Sequence, residues 1–236
     1  MDDLRIVFAV ANYGPLWAPA VSSWLSCVGF AARHFQIEQL GRIAGAGITD
    51  RMYTHSAENA LVQEFLDSDA THLFFSESDM ILPTDCIVKL AALRKPIVSG
   101  IYFLRGGTGQ PCLYVKGVTP VENPYTHSPV HVYPEGEPFQ LDPQGGGCCG
   151  FGCVLFARSV FETVEFPWFD LKEKGYGSDM YFYTKVRDKG IPVWVDPSVE
   201  CEQIEYTVTS KADYTKRLNT DPEFAKTGFV IGGARA

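Results

Sequence analysis

Two acidic residues directly follow an apolar run in the stretch THLFFSESDMILP. Glu77 and Asp79 come just after the run at 71–75, with Ser78 between them. Alternate side chains of an extended chain point to the same side, so the two carboxylates can converge. Paired carboxylates suit a hard divalent cation such as Mn²⁺ or Mg²⁺, whose shell is completed by water and substrate phosphates. The same acids can equally be solvated loop residues before the next helix.

Strands and helices alternate along the first hundred residues, and this order predicts where the acids lie. Short apolar runs predict strands, and apolar residues at helical spacing predict the helices between them. The predicted strands are 4–11, 34–40, 71–76 and 96–103, and the predicted helices are 19–33, 56–66 and 84–94. We therefore expect an α/β fold with a mixed, mainly parallel sheet flanked by helices. Ligands bind beyond the carboxyl ends of such strands, which places Ser78 and both acids at the functional edge.

The second half of the chain has a different pattern. Residues 106–143 are rich in Pro, Gly, Tyr and His, which predicts a long irregular excursion over the site. A glycine-rich turn at 145–152 then leads into an apolar run, and a helix at 178–189 precedes strands at 191–195 and 198–203. We expect one domain over residues 1–210 and a polar C-terminal tail over 211–236.

Composition limits the possible functions. The chain has 236 residues, 46% of them hydrophobic, and a formal net charge of −8, which argues against binding a polyanion with the whole surface. The amino terminus is acidic, and no apolar run approaches the roughly 20 residues that a membrane span needs. The seven cysteines are an odd number without repeating CxxC spacing, which favours reduced thiols. We expect a soluble, cytoplasmic protein without disulfides.

Several segments together resemble GT-A-fold nucleotide-sugar glycosyltransferases. In that family a hydrophobic strand ends in a DxD-type motif followed by a proline, a helix and a strand of the form vvsGlY; here Asp79, Pro83 and residues 99–102 occupy those places. The downstream segments GCCGFGCVLFARSVFETV and GYGSDMYFYTKVRDKGIPVWVDPSVECEQI are similar to later family motifs in the same order. The matches extend over about residues 5–204. They are most similar to small, single-domain, family-two-like enzymes of bacterial viruses and their hosts.

The resemblance implies a cation site with departures from the family pattern. Asp79 matches the metal-binding acid, whereas Glu77 replaces an aspartate and can reach the donor ribose or a metal-bound water instead. Gln203 falls where the family has a final histidine ligand, and Glu202 beside it is an alternative oxygen donor. The resemblance thus implies Mn²⁺ or Mg²⁺ held by Asp79, Glu77 and Gln203, or by Asp79 with water and the donor diphosphate.

Asp179 matches the general base of the inverting enzymes in this family, and Ser178 replaces the glutamate that usually precedes it. The base removes a proton from the acceptor hydroxyl. In the first turn of the predicted helix, the helix dipole favours the ionised carboxylate and so weakens it as a base. A plain helix-start carboxylate is the alternative interpretation of Asp179.

The resemblance also implies contacts to both substrates. For the donor, Asn12 and Tyr13 match a base-binding loop, Ser78 lies within the acidic motif, and Asn59 matches a position that faces the nucleotide, although Glu58 stands where arginine is common. Residues assigned to the acceptor side are Gly150, Phe151 and Trp168. The glycines of the turn would permit close approach to a sugar, and Trp168 would either stack on a sugar or pack in the core.

We therefore expect an inverting, metal-assisted glycosyltransferase that moves a sugar from a nucleotide-sugar, most simply a UDP-sugar, to an acceptor hydroxyl. The acceptor stays open between a glycan, a protein and a modified nucleic acid such as a modified DNA base. One alternative is a catalytically degenerate protein that binds a nucleotide-sugar or carbohydrate. A nucleotidyltransferase is the other, but it would normally carry a glycine-rich loop with Arg or Lys after the first strand, and residues 12–15 read Asn-Tyr-Gly-Pro.

Overall fold

The computed structural model describes residues 4–12, 14–39, 48–49, 52–105, 109–116, 127–143, 146–171, 177–205, 208–226 and 229–230. The strands are β1 Arg5–Ala11, β2 Gln36–Gln39, β3 His72–Glu77, β4 Met80–Ile81, β5 Ile97–Ile101, β6 Leu113–Lys116, β7 His127–Val132, β8 Phe139–Leu141, β9 Cys148–Cys149, β10 Val154–Ala157, β11 Val193–Glu200, β12 Glu202–Ile204, β13 Val208–Thr209 and β14 Phe229–Val230. The helices are α1 Ala18–Ala31, α2 Thr54–Asp67, α3 Cys86–Ala92, α4 Arg158–Thr163, α5 Ser178–Asp188, α6 Lys211–Thr220 and α7 Pro222–Ala225. None of these described helices has the length and apolar character that crossing a membrane requires.

A seven-stranded sheet forms the centre of the fold, with strand order β2-β1-β3-β10-β5-β11-β8. Strands β2, β1 and β3 are parallel neighbours, as are β5 and β11. Strand β10 lies antiparallel between β3 and β5, and β8 is antiparallel at the edge beside β11. The predicted mixed, mainly parallel α/β sheet is confirmed. The position of β10 between β3 and β5 did not follow from the order of the elements along the chain.

Alternation along the strands divides the core between the two faces of the sheet. In β1, Val7 and Ala9 pack with Phe65 of α2, whereas Phe8 packs on the opposite face with Trp24 of α1. Helices α2, α4 and α5 therefore cover one face, and α1 and α3 cover the other. Because both faces are covered, side chains on both sides of a central strand are buried, and the strands are continuous apolar runs in the sequence. Each fully buried large side chain contributes about 1.5–3 kcal/mol to the stability of the fold.

Aromatic rings fill the core beneath α4 and α5. Phe151 lies edge-on to Phe156, Phe169 and Phe182, with ring centroids 5.3–5.8 Å apart. Such edge-to-face pairs contribute roughly 0.5–1.5 kcal/mol beyond their burial. This cluster fixes the start of α5, which carries Asp179, against the sheet.

Helices α6 and α7 and strand β14 pack on the body of the protein. Tyr214 of α6 is 4% exposed, stacks on Phe103 at 5.2 Å between ring centroids, and donates a hydrogen bond to the His131 carbonyl. Phe224 of α7 also belongs to the core, and β14 pairs with β7. The polar composition of 211–236 hid these two anchors, since a helix needs only one apolar face to dock.

All seven cysteines are buried free thiols. The sulfur atoms of Cys27 in α1 and Cys86 in α3 lie 3.1 Å apart.

Candidate functional site

A cleft of about 210 Å³ opens where β1 and β3 end. Strand β3 is parallel to β1, with Glu77 opposite Ala11, so the loops that follow both strands leave the sheet at the same edge. The described residues that line the cleft are Ala11, Asn12, Met52, Thr54, Ala57, Glu77, Ser78, Asp79 and Arg105. The acidic motif thus lies at the sheet edge to which the sequence assigned it.

The turn that carries the acids is held from several sides. Ser76 Oγ donates to the Gly152 carbonyl at 3.1 Å, and Trp24 Nε1 of α1 donates to the Met80 carbonyl at 3.0 Å. The Asp79 carbonyl accepts from the Ile204 N–H at 2.8 Å, where β4 pairs with β12. The position of Asp79 is consequently set by the sheet, by α1 and by β12.

Asp79, Arg105 and Gln203 form a closed network. The Arg105 guanidinium forms an ion pair with Asp79 Oδ2. Gln203 Nε2 donates to the same Oδ2 at 3.4 Å, while Gln203 Oε1 accepts from the Arg105 backbone N–H at 3.3 Å. Asp79 is 6% exposed and Gln203 is 4% exposed, so this network is buried except for the Arg105 side chain. The Arg105 side chain is 52% exposed and borders the cleft.

The orientation of the Gln203 amide decides whether it can bind a metal. The Arg105 backbone N–H is a donor, so the amide oxygen must face it and the NH₂ group must face Asp79. An NH₂ group is no ligand for a hard cation, which prefers oxygen. Asp79 Oδ1 is buried and has no hydrogen-bond partner among the described residues. No group of three or more His, Cys, Asp or Glu residues in the described part of the chain could hold a metal ion. As the amide is oriented here, Gln203 presents no oxygen beside Asp79 for the cation that the resemblance implies.

Carboxyl groups concentrate around the cleft and raise one another's pKa. Burial first, and then repulsion from Asp79 and Asp179, raises the pKa of Glu77 to about 8, with Arg105 opposing the shift. Burial likewise raises the pKa of Glu58 to about 8, and a hydrogen bond with the Ser178 side chain partly opposes this shift. Burial also raises the pKa of Asp79, and Arg105 lowers it in part. With its pKa raised to about 8 and no cation beside it, the Glu77 carboxyl is mostly protonated at neutral pH and can donate a hydrogen bond.

Asn12 is held by its neighbouring loops, and one of its acceptor atoms has no hydrogen-bond partner among the described residues. Its backbone N–H donates to Thr49 Oγ1 at 2.9 Å, and its Nδ2 donates to the Gly14 carbonyl at 2.8 Å. Its Oδ1 is buried and has no partner within the described chain. Tyr13, the other residue of the predicted base-binding loop, lies outside the described residues.

Asp179 lies in the first turn of α5, but it does not line the described cleft. Its Oδ1 accepts from the Met180 N–H at 2.8 Å. Burial raises its pKa, and the hydrogen bond from Met180 opposes that shift. The pKa of Asp179 is raised overall, so burial outweighs the backbone hydrogen bonds at the start of α5.

Asn59 connects α2 to the chain before α5. Its Oδ1 accepts from the backbone N–H groups of Trp168 and Phe169 at 3.0 and 3.3 Å, and its Nδ2 donates to the carbonyls of Phe169 and His55 at 2.7 and 2.8 Å. Both amide atoms are occupied by protein backbone, and Asn59 is not among the residues lining the cleft.

The residues assigned to the acceptor face the core. Phe151 is 1% exposed within the aromatic cluster, and Trp168 is 4% exposed, with Nε1 donating to the Val164 carbonyl at 2.8 Å. Trp168 thus has the core-packing role that was one of its two alternatives. Close approach at Gly150 does occur, but to Tyr102: a Cβ there would lie 1.8 Å from Tyr102 Oη. The absence of a side chain at position 150 therefore makes room for the Tyr102 ring.

Sequence reasoning missed Arg105. It is the last residue of the segment at 71–105 that resembles the family, four residues beyond the end of β5. The carboxyl ends of strands running in one direction meet at one edge of a sheet, which was the available signal that Arg105 would approach Asp79.

The fold is similar to known structures, although no protein-family model and no curated protein sequence matches the chain. A197 from STIV superposes with a TM-score of 0.58 at 17% identity, covering 86% of each chain. GalNAc-T7, solved with UDP, GalNAc and Mn²⁺, superposes with a TM-score of 0.55 at 10% identity over 92% of this chain. The matched region spans 48% of that chain, about half its length. At these identities the likeness concerns the fold, and the central sheet with its flanking helices is a GT-A-like α/β fold.

Proposed function

We propose that the protein is a glycosyltransferase that moves a sugar from a nucleotide-sugar donor, a UDP-sugar, to an acceptor hydroxyl. The observation that carries this proposal is the cleft at the ends of β1 and β3, where Asn12, Glu77, Ser78, Asp79 and Arg105 converge. In open α/β sheets this is the edge at which ligands bind. The GT-A-like fold supports the proposal, and so does the presence of UDP in the structure of GalNAc-T7.

The donor would be held by polar groups that the fold leaves available. Asn12 Oδ1 has no partner among the described residues, so it can accept a hydrogen bond from the base. Because its pKa is raised to about 8, the protonated Glu77 carboxyl can donate a hydrogen bond to an oxygen of the ribose or the diphosphate. Ser78 lies beside it at the cleft. Arg105 supplies positive charge for the diphosphate.

Asp179 is the proposed general base for the acceptor hydroxyl. Burial raises its pKa, which brings its proton affinity closer to what a base needs at neutral pH. In-line attack on the anomeric carbon from the side opposite the leaving diphosphate would invert that centre. The acceptor, whether glycan, protein or modified nucleic acid, would approach from the α5 side.

The sequence also led to an expectation of Mn²⁺ or Mg²⁺ as cofactor. Asp79 Oδ2 is taken by Arg105, and Gln203 presents its NH₂ group, so the side chains do not fit the three-ligand site that the resemblance implied. No step of the proposed reaction is routed through a cation. UDP binding is therefore measured both with and without Mn²⁺.

Calorimetric titration of UDP and UDP-sugars, with and without Mn²⁺, tests the donor site. Thr54 is exposed at the start of α2 and lines the cleft, so Thr54→Trp should obstruct it without disturbing the core. The matched control is Thr220→Trp, at an exposed position in α6. We expect UDP to bind the wild type and the control and to lose most of its affinity for Thr54→Trp. If UDP fails to bind the wild type in either condition, or binds the Thr54→Trp variant equally well, the proposed function is wrong.

A degenerate nucleotide-sugar-binding protein is the second candidate. It is favoured by one observation: Asp179 does not line the described cleft. Slow release of UDP from a bound UDP-sugar, sensitive to Asp179→Asn, separates the two candidates. Turnover supports the enzyme, whereas binding with no release in the presence of varied acceptors supports the binding protein.

A further inference from the structure

Arg105 occupies the place at Asp79 that the resemblance assigns to a metal ion. We infer that the Arg105 guanidinium is the cation that faces the donor diphosphate, so that nucleotide binding does not require a divalent metal. The inference rests on the proposed function, because it concerns the same cleft. It gives a donor-binding role to Arg105, a residue to which the sequence assigned no function.

The charges that border the cleft support this role. Among its described lining residues, Glu77 and Asp79 are acidic and Arg105 is the basic one. Like charges repel each other more strongly at a protein surface than in bulk water, because the effective dielectric constant is lower there. A diphosphate placed beside an uncompensated Asp79 would therefore be repelled. The ion pair removes that repulsion before the nucleotide arrives.

Arg105 keeps donors for a second anion. A guanidinium presents several N–H groups in a planar fork, and the ion pair with Asp79 involves Nη1. The Arg105 side chain is about half exposed on the cleft side of the network. The same group can thus bind Asp79 on one side and phosphate oxygens on the other, which a compact ammonium does less well.

Gln203 fits this arrangement better than it fits a metal site. Its oxygen holds the Arg105 backbone, and its NH₂ group holds Asp79 Oδ2, so it links both partners of the ion pair. Pairing of β4 with β12 places Gln203 opposite Met80, beside Asp79. The replacement of the family's histidine by Gln203 and the presence of Arg105 therefore have one explanation: an amide and a guanidinium together replace a metal and its ligand.

The test is UDP binding in EDTA and in Mn²⁺ to the wild type and three variants. Arg105→Met removes the charge and keeps the length, Arg105→Lys keeps the charge, and Lys189→Met removes one charge from the surface pair with Glu165. We expect the wild type to bind UDP in EDTA. Affinity should fall about tenfold or more for Arg105→Met, because this variant loses the charge-assisted hydrogen bonds to the diphosphate. Arg105→Lys should lie between, and Lys189→Met should match the wild type.

Uridine is the control for misfolding, since it carries no phosphate. Its affinity, measured by competition, should be the same for wild type and Arg105→Met. Two outcomes would overturn the inference while keeping the donor site: UDP binding that appears only with Mn²⁺, or UDP affinity in EDTA that is unchanged by Arg105→Met. Absence of UDP binding to the wild type in every condition would instead reject the proposed function, and the inference with it.

Discussion

The backbone of Gly177 lies directly against the carboxylate of Asp179, so that a Cβ at position 177 would come within 2.3 Å of Asp179 Oδ1. The φ angle of Gly177 is −73°, which any residue can adopt, so the requirement for glycine here is space and not backbone conformation. The proposed base is thus positioned by the absence of a side chain two residues earlier.

Gly177→Ala should therefore displace the Asp179 carboxylate and lower turnover while leaving UDP affinity within about twofold. Loss of a general base costs roughly 10²–10⁴ in rate, and a displaced base should lose part of that. Steady-state kinetics together with UDP titration would separate kcat from binding. Gly29→Ala in α1 is the matched control, because no described atom outside its own helix backbone lies within 4 Å of its added Cβ. Unchanged kcat in Gly177→Ala would contradict the assignment of Asp179.

Gly150→Ala should destabilise the fold. Its Cβ would lie 1.8 Å from Tyr102 Oη and 2.6 Å from Cys112 Sγ, and overpacking of this kind costs about 1–3 kcal/mol or more. Thermal unfolding should show a lower Tm than the wild type. Adding Tyr102→Phe removes the nearest atom, so the double variant should recover part of the loss. A double variant as unstable as Gly150→Ala alone would show that the clash is not with the tyrosine hydroxyl.

Glu58 should make stability depend on pH. Its pKa is about 8 in the folded protein and 4.5 without the fold, so between these values the folded state binds a proton that the unfolded state has released. This contribution is fully present below pH 4.5 and is lost as the pH rises towards 8. The wild type should thus unfold more easily at pH 8 than at pH 5.5.

Glu58→Gln keeps the shape without the ionisation, so it should flatten part of that decline; Glu77 shares the same window and maintains the rest. Urea denaturation at a series of pH values measures the effect. Glu223→Gln, at an exposed position in α7, should follow the wild-type profile. A Glu58→Gln profile parallel to that of the wild type would mean that Glu58 stays ionised inside the fold.

Asn59→Ala should reduce stability rather than donor affinity. The substitution leaves the backbone N–H groups of Trp168 and Phe169 without their acceptor, and each unsatisfied buried group costs about 1–3 kcal/mol. We expect a lower denaturant midpoint, with UDP affinity retained at temperatures where the variant is folded. Asn219→Ala, at an exposed position in α6, controls for the loss of an amide side chain. If the Asn59→Ala variant folded but no longer bound UDP, the result would support the donor contact that the sequence predicts for Asn59.

The sequence by itself determined the α/β class, the alternation of strands and helices over the first hundred residues, and the sheet edge that carries the acids. These features are local, since apolar periodicity marks strands and helices, and the turn after β3 follows directly from Ser76 to Asp79 along the chain. The sequence also marked Asp179 at the start of a helix, and α5 does begin at Ser178.

Only the tertiary structure decided what those residues touch. Asp79 meets Arg105 from 26 residues away and Gln203 from 124 residues away, distances along the chain over which no periodicity carries information. The antiparallel β10, inserted between β3 and β5, brings the turn before it to Tyr102, so Gly150 serves packing. Contacts of this kind depend on strand order and on which side chains share a volume, and close packing settles both only when the chain is folded.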